Sequence, residues 1–409
     1  MRRFVAATAV LGLVMAGAGI AGASARSGRS AGPGVSKDAI DLGVTYVDLA
    51  GTDVNIELGD WVDIYTAVID DFNANGGVNG RDINPVFAPV SPLGTVPAQE
   101  ACVKLTEDQQ VFAVIGFFLA DAPLCYVAQH DTPVLGGTQT AEYLAQAKAP
   151  WYSLESGDDV YGQVLDAFKK DGALKGGTLG VISDSQTQGV LDDVVVPKLK
   201  ELKVKSTVAT ITAAQGDTVA IEQEASVIAE RFATEKIKTV LIVGQAGIGF
   251  GDVLANTDYR PRILVLSENI LRSFVQNEGS DLSVAKGALT AAPVIDFDDP
   301  DLQACFEVIT DATGYDIQET ALAGEPEYRR SSEIACRAVA FFGQLASGAG
   351  KNPTAKSLDK APAKLGSIEI PGSGTLTYNK KTKQFEAPIF IYRFDPATES
   401  LVPDEKPST

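Results

Sequence analysis

Between Trp61 and Phe72, apolar residues fall at Trp61, Ile64, Tyr65, Val68, Ile69 and Phe72, a three-one-three-one-three spacing that puts these six on one face of an α-helix. The following NANGGVNGR closes that helix near Asn73, because adjacent glycines supply the positive-φ positions of a helix C-terminus and Asn-Gly turns the chain. Ile83 to Val90 then reads as a strand, Val96 to Glu107 as a second helix, and the apolar run VFAVIG, Val111 to Gly116, as a strand buried on both faces. Together with a first strand from Ile40 to Tyr46, this predicts a β-α-β-α-β unit on a parallel sheet. Gly116 opens the loop at a strand's C-terminal end.

The same alternation continues. Strands are expected at Pro133 to Gly136, Trp151 to Leu154, Thr178 to Ser183, Lys205 to Thr210, Thr239 to Val243 and Arg262 to Leu266, and helices at Val160 to Lys170, Gly189 to Leu202 and Ala220 to Thr234. After Ala288 to Pro293 the chain returns through helices Asp301 to Thr313 and Ser331 to Ser347. The tail GTLTYNKKTKQFEAPIFIYRFD alternates and turns at Asn379-Lys380, as a hairpin does.

The N-terminus changes the picture of where this chain works. Arg2 and Arg3 precede an Ala/Val/Leu/Gly stretch that ends in Ala23-Ser24-Ala25, the pattern of a cleavable export signal over residues 1–25. Residues 26–36, rich in Ser, Gly and Arg, read as a flexible leader. Cleavage leaves 384 of 409 residues, more than one hydrophobic core serves, so two lobes are expected. Loss of Arg2 and Arg3 moves the formal charge from −19 to −21, a balance that repels nucleic acid and anionic lipid.

Four cysteines in an exported chain suit two disulfides. Three pairings are formally possible. Cys102–Cys125 with Cys305–Cys336 is favoured, because Cys102 on the second helix and Cys125 after the VFAVIG strand are neighbours in a β-α-β unit, and the other two lie on later helical stretches. A metal site fails on spacing, since there is no C-x-x-C and His130 is the only histidine. That single histidine, at a helix end, also leaves little room for a nucleophile-base pair. Gly247-x-Gly249-x-Gly251 is not a dinucleotide fingerprint and no phosphate-binding G-x-x-x-x-G-K-[ST] occurs, so no cofactor is expected.

The ordered set of first strand, GDW, a helix ending in FNANGGVNGR, and VFAVIG resembles the type I periplasmic binding proteins, in particular the branched-chain amino-acid binding subunits of ABC importers. The resemblance implies an α/β fold class: two doubly wound parallel-sheet lobes joined by a three-segment hinge. Residues 37–152 with 294–352 would form the N-terminal lobe, and 153–290 with 370–400 the C-terminal lobe. It also implies an exported, periplasmic or extracellular binder of a small molecule, partnered by transporter permease subunits and without enzymatic activity. An extracellular sensing subunit and a secreted hydrolase on a similar frame are the alternative classes.

In a doubly wound sheet, ligands sit outside the C-terminal strand ends. One wall should therefore contain Leu58, Trp61, Phe117, Phe118, Ala120, Asp121, Thr138, Gln139 and Thr140, and the facing wall Gln188, the Gln245-Ala246 loop and Glu268. Ordinary structural roles compete: Asp121 and Thr140 are good helix N-caps, and Trp61 is a natural core residue. Against the family pattern, Leu58 and Gln188 replace tyrosines and Ala120 replaces a serine. The first wall is thereby more apolar, and a bulkier, partly apolar ligand is expected in place of leucine, with Glu268 matching the acid that meets an α-ammonium.

Overall fold

A computed structural model describes residues 32–52, 57–154, 160–214, 217–276, 280–317 and 326–408. The expected export signal and most of the expected leader lie outside the described residues, as do residues 155–159 after the expected Trp151 to Leu154 strand. Among the described residues no helix is long and apolar enough to cross a membrane.

The chain opens with β1 (Ala39–Val47), α1 (Trp61–Ala74), β2 (Asp82–Val90) and α2 (Val96–Val103), which runs into a wide helical turn at Lys104–Asp108. β3 (Ala113–Gly116), β4 (Val134–Leu135), α3 (Ala141–Gln146) and β5 (Trp151–Tyr152) complete a five-stranded parallel sheet in the order β2-β1-β3-β4-β5. Helix α1 forms where its apolar stripe predicts, and its start is fixed by the Asp60 carboxylate, which accepts from Val62 N and Asp63 N. The stripe buries Trp61, Ile64, Tyr65, Val68 and Ile69 against β1 and two later helices.

A second sheet follows: α4 (Val160–Asp171), β6 (Leu179–Asp184), α5 (Gln188–Val190), a wide turn at Leu191–Val195 into α6 (Val196–Glu201), β7 (Ser206–Ile211), α7 (Thr218–Thr234), β8 (Thr239–Ile242), α8 (Ala246–Ala255), β9 (Arg262–Val265), α9 (Glu268–Gln276) and β10 (Leu289–Pro293). Helices α8 and α9 are not apparent from the sequence. Three glycines thin the apolar pattern of α8, and α9 spans only nine residues.

The return path comprises α10 (Pro300–Thr313), α11 (Tyr328–Gly348), α12 (Ala355–Leu365), β11 (Ser367–Ile370), β12 (Gly374–Asn379), β13 (Gln384–Glu386), β14 (Ile389–Asp395) and β15 (Ser400–Pro403). Helices α10 and α11 pack on α1. Strands β12 and β13 pair antiparallel across the expected turn, whereas β14 adds antiparallel to β10, giving a seven-stranded sheet β15-β14-β10-β9-β8-β6-β7. The tail is thus divided. Ile370, Leu376 and Phe385 are buried in the same core as Trp61 and Phe342, while Ile389 and Ile391 belong to the core of the seven-stranded sheet. Residues 370–386, expected with the second lobe, share the core of the five-stranded sheet: β11 packs on α11, β12 on α12, and Phe385 faces Phe341 of α11 edge-on with centroids 5.9 Å apart.

Disulfides join Cys102 to Cys125 and Cys305 to Cys336. The first ties α2 to the turn after β3, and the second ties α10 to α11, so both brace the layers on the five-stranded sheet.

Candidate functional site

In the five-stranded sheet β1 is flanked by β2 on one side and β3 on the other, so the strand order reverses there and the loops leaving β1 and β3 diverge. A cavity of 530 Å³ opens at that point. Its walls come from the C-terminal ends of three strands (Thr45 and Val47, Gly116 and Phe117, Leu135 and Gly136), from Leu58, Trp61 and Tyr65 at the start of α1, and from Leu154 and Ile295 where the chain leaves for and returns from the second sheet. The remaining wall is a stripe of α11: Arg330, Glu333, Ile334, Arg337 and Ala338. The volume is of the size that takes a small organic ligand.

Most of this lining is apolar, and its polar side chains are Thr45, Tyr65, Arg330, Glu333 and Arg337. Tyr65 is fully buried and its hydroxyl has no hydrogen-bond partner among the described residues. Burial, then the nearby Glu333 carboxylate, hold its phenol protonated far above the ordinary tyrosine range. Glu333 is 7% exposed and accepts from Arg337 one helical turn later; Arg337 also donates from Nη2 to Ser373 Oγ at 3.0 Å, yet its buried Nε has no partner. Arg330 stands at the rim, with its side chain 67% exposed.

The seven-stranded sheet reverses its order at β6, between β7 and β8, and carries a cavity of 210 Å³ there. Asp184, Gln186, Glu222, Gln245 and Asp252 line it, and burial followed by Glu222 raises the Asp252 carboxyl above its usual range. Each sheet thus has a hollow at its own switch point, the first mostly apolar and the second acidic.

Of the residues expected from sequence to touch a ligand, Leu58, Trp61 and Phe117 lie on the first cavity. The others are placed elsewhere. Phe118 packs edge-on to Tyr126, their centroids 5.9 Å apart, and Ala120, Asp121 and Thr138 are exposed outside the lining. Gln139 is buried and donates to Trp151 O at 2.9 Å, and Thr140 caps α3 by accepting from Tyr143 N at 3.1 Å. On the second sheet Gln188 is engaged with Asp192 and Thr210, Ala246 begins α8, and Glu268, in the first turn of α9, is paired with Arg272. The α11 stripe is absent from the sequence reading. Its signal was present, however: Arg330, Glu333 and Arg337 recur at helical spacing within an otherwise apolar face, where charges are costly unless they serve one another or a ligand.

His130 is half-buried, its Nε2 3.7 Å from Glu107. Its ring lies close to Cys102 and Cys125, whose sulfurs are committed to the disulfide and offer no thiolate to a metal.

Known proteins bear on this arrangement in three ways. No curated protein sequence matches. Solved structures share the fold: a putative branched-chain amino acid ABC transporter protein from Rhodospirillum rubrum (TM-score 0.62, 15% identity, 90% of this chain and 100% of that one) and an ABC transporter substrate-binding protein from Desulfitobacterium hafniense in complex with Leu (0.60, 13%, 90% and 100%). A fatty acid ABC transporter substrate-binding protein from Thermomonospora curvata is also similar (0.54, 16%, 92% and 94%). The sequence profile described as Periplasmic binding protein matches residues 40–399, and the chain therefore belongs to that family.

Proposed function

We propose that this chain is an exported solute-binding protein that captures a small, partly apolar molecule and presents it to the membrane subunits of an ABC importer. The observation that carries the reading is the 530 Å³ cavity at the switch point of the five-stranded sheet, walled by Trp61, Phe117, Leu135 and the α11 stripe. The family and the fold support it. Proteins of this fold are described in complex with leucine and with 3,4-dihydroxy benzoic acid, and one as a fatty acid ABC transporter substrate-binding protein. The apolar lining here lies toward the last two.

Capture works through two lobes. We assign residues 37–152 and 294–386 to the first and 160–293 and 387–403 to the second, a division supported by the separate cores of the two sheets. A ligand seated on the first cavity and touched by the second wall favours whichever lobe orientation lets both contact it. Leucine, isoleucine and valine are poor candidates. Ala120 brings no hydroxyl, and Gln188 and Glu268 are occupied by Asp192 and Arg272.

The test uses the chain's two tryptophans. Trp61 lines the cavity, while Trp151 is buried at the far side of the sheet with its indole N–H donating to Gly136 O. Small molecules released from the purified protein and identified by mass spectrometry should change its fluorescence on titration, and Trp61→Phe should silence that change. Ala338→Phe, which fills the cavity, should weaken binding at least tenfold; full affinity in that variant refutes the site.

A further inference from the structure

Leu58 and Trp61 reach the cavity from the end of the connection between β1 and α1, and residues just past α10 and in the first turn of α11 grip that end along its whole length. Glu57 O accepts from Glu327 N at 2.7 Å, Leu58 O from Ser331 Oγ at 2.5 Å, and Asp60 N donates to Tyr315 Oη at 2.9 Å. Tyr328 Oη donates to the Glu57 carboxylate at 2.8 Å. The two tyrosine rings stack on each other, with centroids 4.3 Å apart and planes 17° from parallel. Gly59 lies against both: its φ is +76°, and a Cβ there would come within 2.8 Å of Tyr315 and 3.2 Å of Tyr328. Asp60 already caps α1 with its own carboxylate, so the stacked pair, with both hydroxyls bonded to this connection, is more than the helix start requires. What the pair fixes is where Leu58 and Trp61 stand over the cavity.

Resting on the cavity being the ligand site, we propose that Tyr315 and Tyr328 are positioning residues for it. Neither ring lines the cavity. Both hold Leu58 and Trp61 in place before a ligand arrives, and a wall ordered beforehand spares binding the entropy of ordering it, which raises affinity without a new contact. The same grip keeps the Trp61 indole shut away from solvent, 9% exposed.

Two readouts separate positioning from plain stability: acrylamide quenching of Trp61, and binding of the neutral apolar probe 1-aminoanthracene, whose emission rises in an apolar cavity, with Ala338→Phe as the filled-cavity control. Tyr328→Phe and Tyr315→Phe keep the stacked rings and each lose one hydrogen bond. Each should weaken 1-aminoanthracene about threefold or more and raise the acrylamide quenching constant, and that rise should vanish when Trp61→Phe is added. Glu57→Gln still accepts from Tyr328 and should behave as wild type, whereas Glu57→Ala should copy Tyr328→Phe; a thermal melt of each variant confirms that it is folded. Wild-type probe binding and wild-type Trp61 shielding in both tyrosine variants, whatever their melting temperature, overturns the positioning role and leaves the cavity as the site. If the wild-type protein does not bind 1-aminoanthracene, or Ala338→Phe binds it fully, the cavity reading fails and the positioning role falls with it.

Discussion

Gly116 is where fold and site depend on the same atom. It ends β3 with φ +108°, and a Cβ added there would overlap the Thr45 carbonyl oxygen and lie 3.0 Å from its carbon. The Thr45 carbonyl accepts from Phe117 N at 2.9 Å, and Thr45 Oγ1, buried, donates to Ile115 O at 3.1 Å. Gly116→Ala therefore carries two separate costs. An L-residue in that backbone conformation loses about 1–2 kcal/mol. Making room means parting β1 from β3 and giving up one or two buried hydrogen bonds, each about 1 kcal/mol and more if a group is left unsatisfied. The sum is about 2–4 kcal/mol. Gly94 supplies the control: its φ is +111°, with nothing within 4 Å of an added Cβ, so Gly94→Ala isolates the torsional part, about 1–2 kcal/mol. Urea unfolding followed by circular dichroism gives both values, and fluorescence titration should show ligand affinity lost in Gly116→Ala alone. Equal destabilisation by the two substitutions would refute the reasoning, because the Thr45 contact would then contribute nothing.

The remaining predictions concern crosslinks, protonation and motion. The disulfides close loops of 23 and 31 residues, so removing either pair by Cys→Ala should lower unfolding stability by about 3.5 kcal/mol in the chain-entropy picture, measured by urea unfolding; a change below about 1 kcal/mol would count against it. Asp252 has a folded pKa raised above 3.8, so its contribution is fully present below 3.8 and is lost as pH rises through the folded value. Asp252→Asn should accordingly stabilise the protein at neutral pH, with the gain fading toward pH 3.8, and an unchanged urea midpoint at neutral pH would argue otherwise. Tyr65→Phe should leave the unliganded protein as stable as wild type or more so, since it removes a buried hydroxyl that has no partner; a lower melting temperature would reveal a bond to that hydroxyl. Addition of the true ligand should compact the scattering profile, and an unchanged radius of gyration at saturation would rule out lobe closure.

Local pattern determined much of this protein. The three-one spacing from Trp61 to Phe72 fixed α1 and its inward face, since an amphipathic helix buries the stripe it carries wherever it lands. The VFAVIG run marked a strand covered on both sides, and the even cysteine count pointed to paired bridges. The site was only half legible. Leu58, Trp61 and Phe117 follow from the rule that ligands gather at C-terminal strand ends, a rule that needs only strand order. Gln139 and Thr140 obey the same rule by position, but their side chains bond to Trp151 O and Tyr143 N, and those partners are set by how β5 and α3 pack. Tyr65 shows the limit most clearly. Periodicity places it in the core and says nothing of its hydroxyl; only the approach of α11, some 270 residues later in the chain and fixed by tertiary packing, sets Glu333 and Arg337 beside the same cavity. A helix face can be read from spacing, but which polar atom on it goes unpaired depends on every element that packs against it.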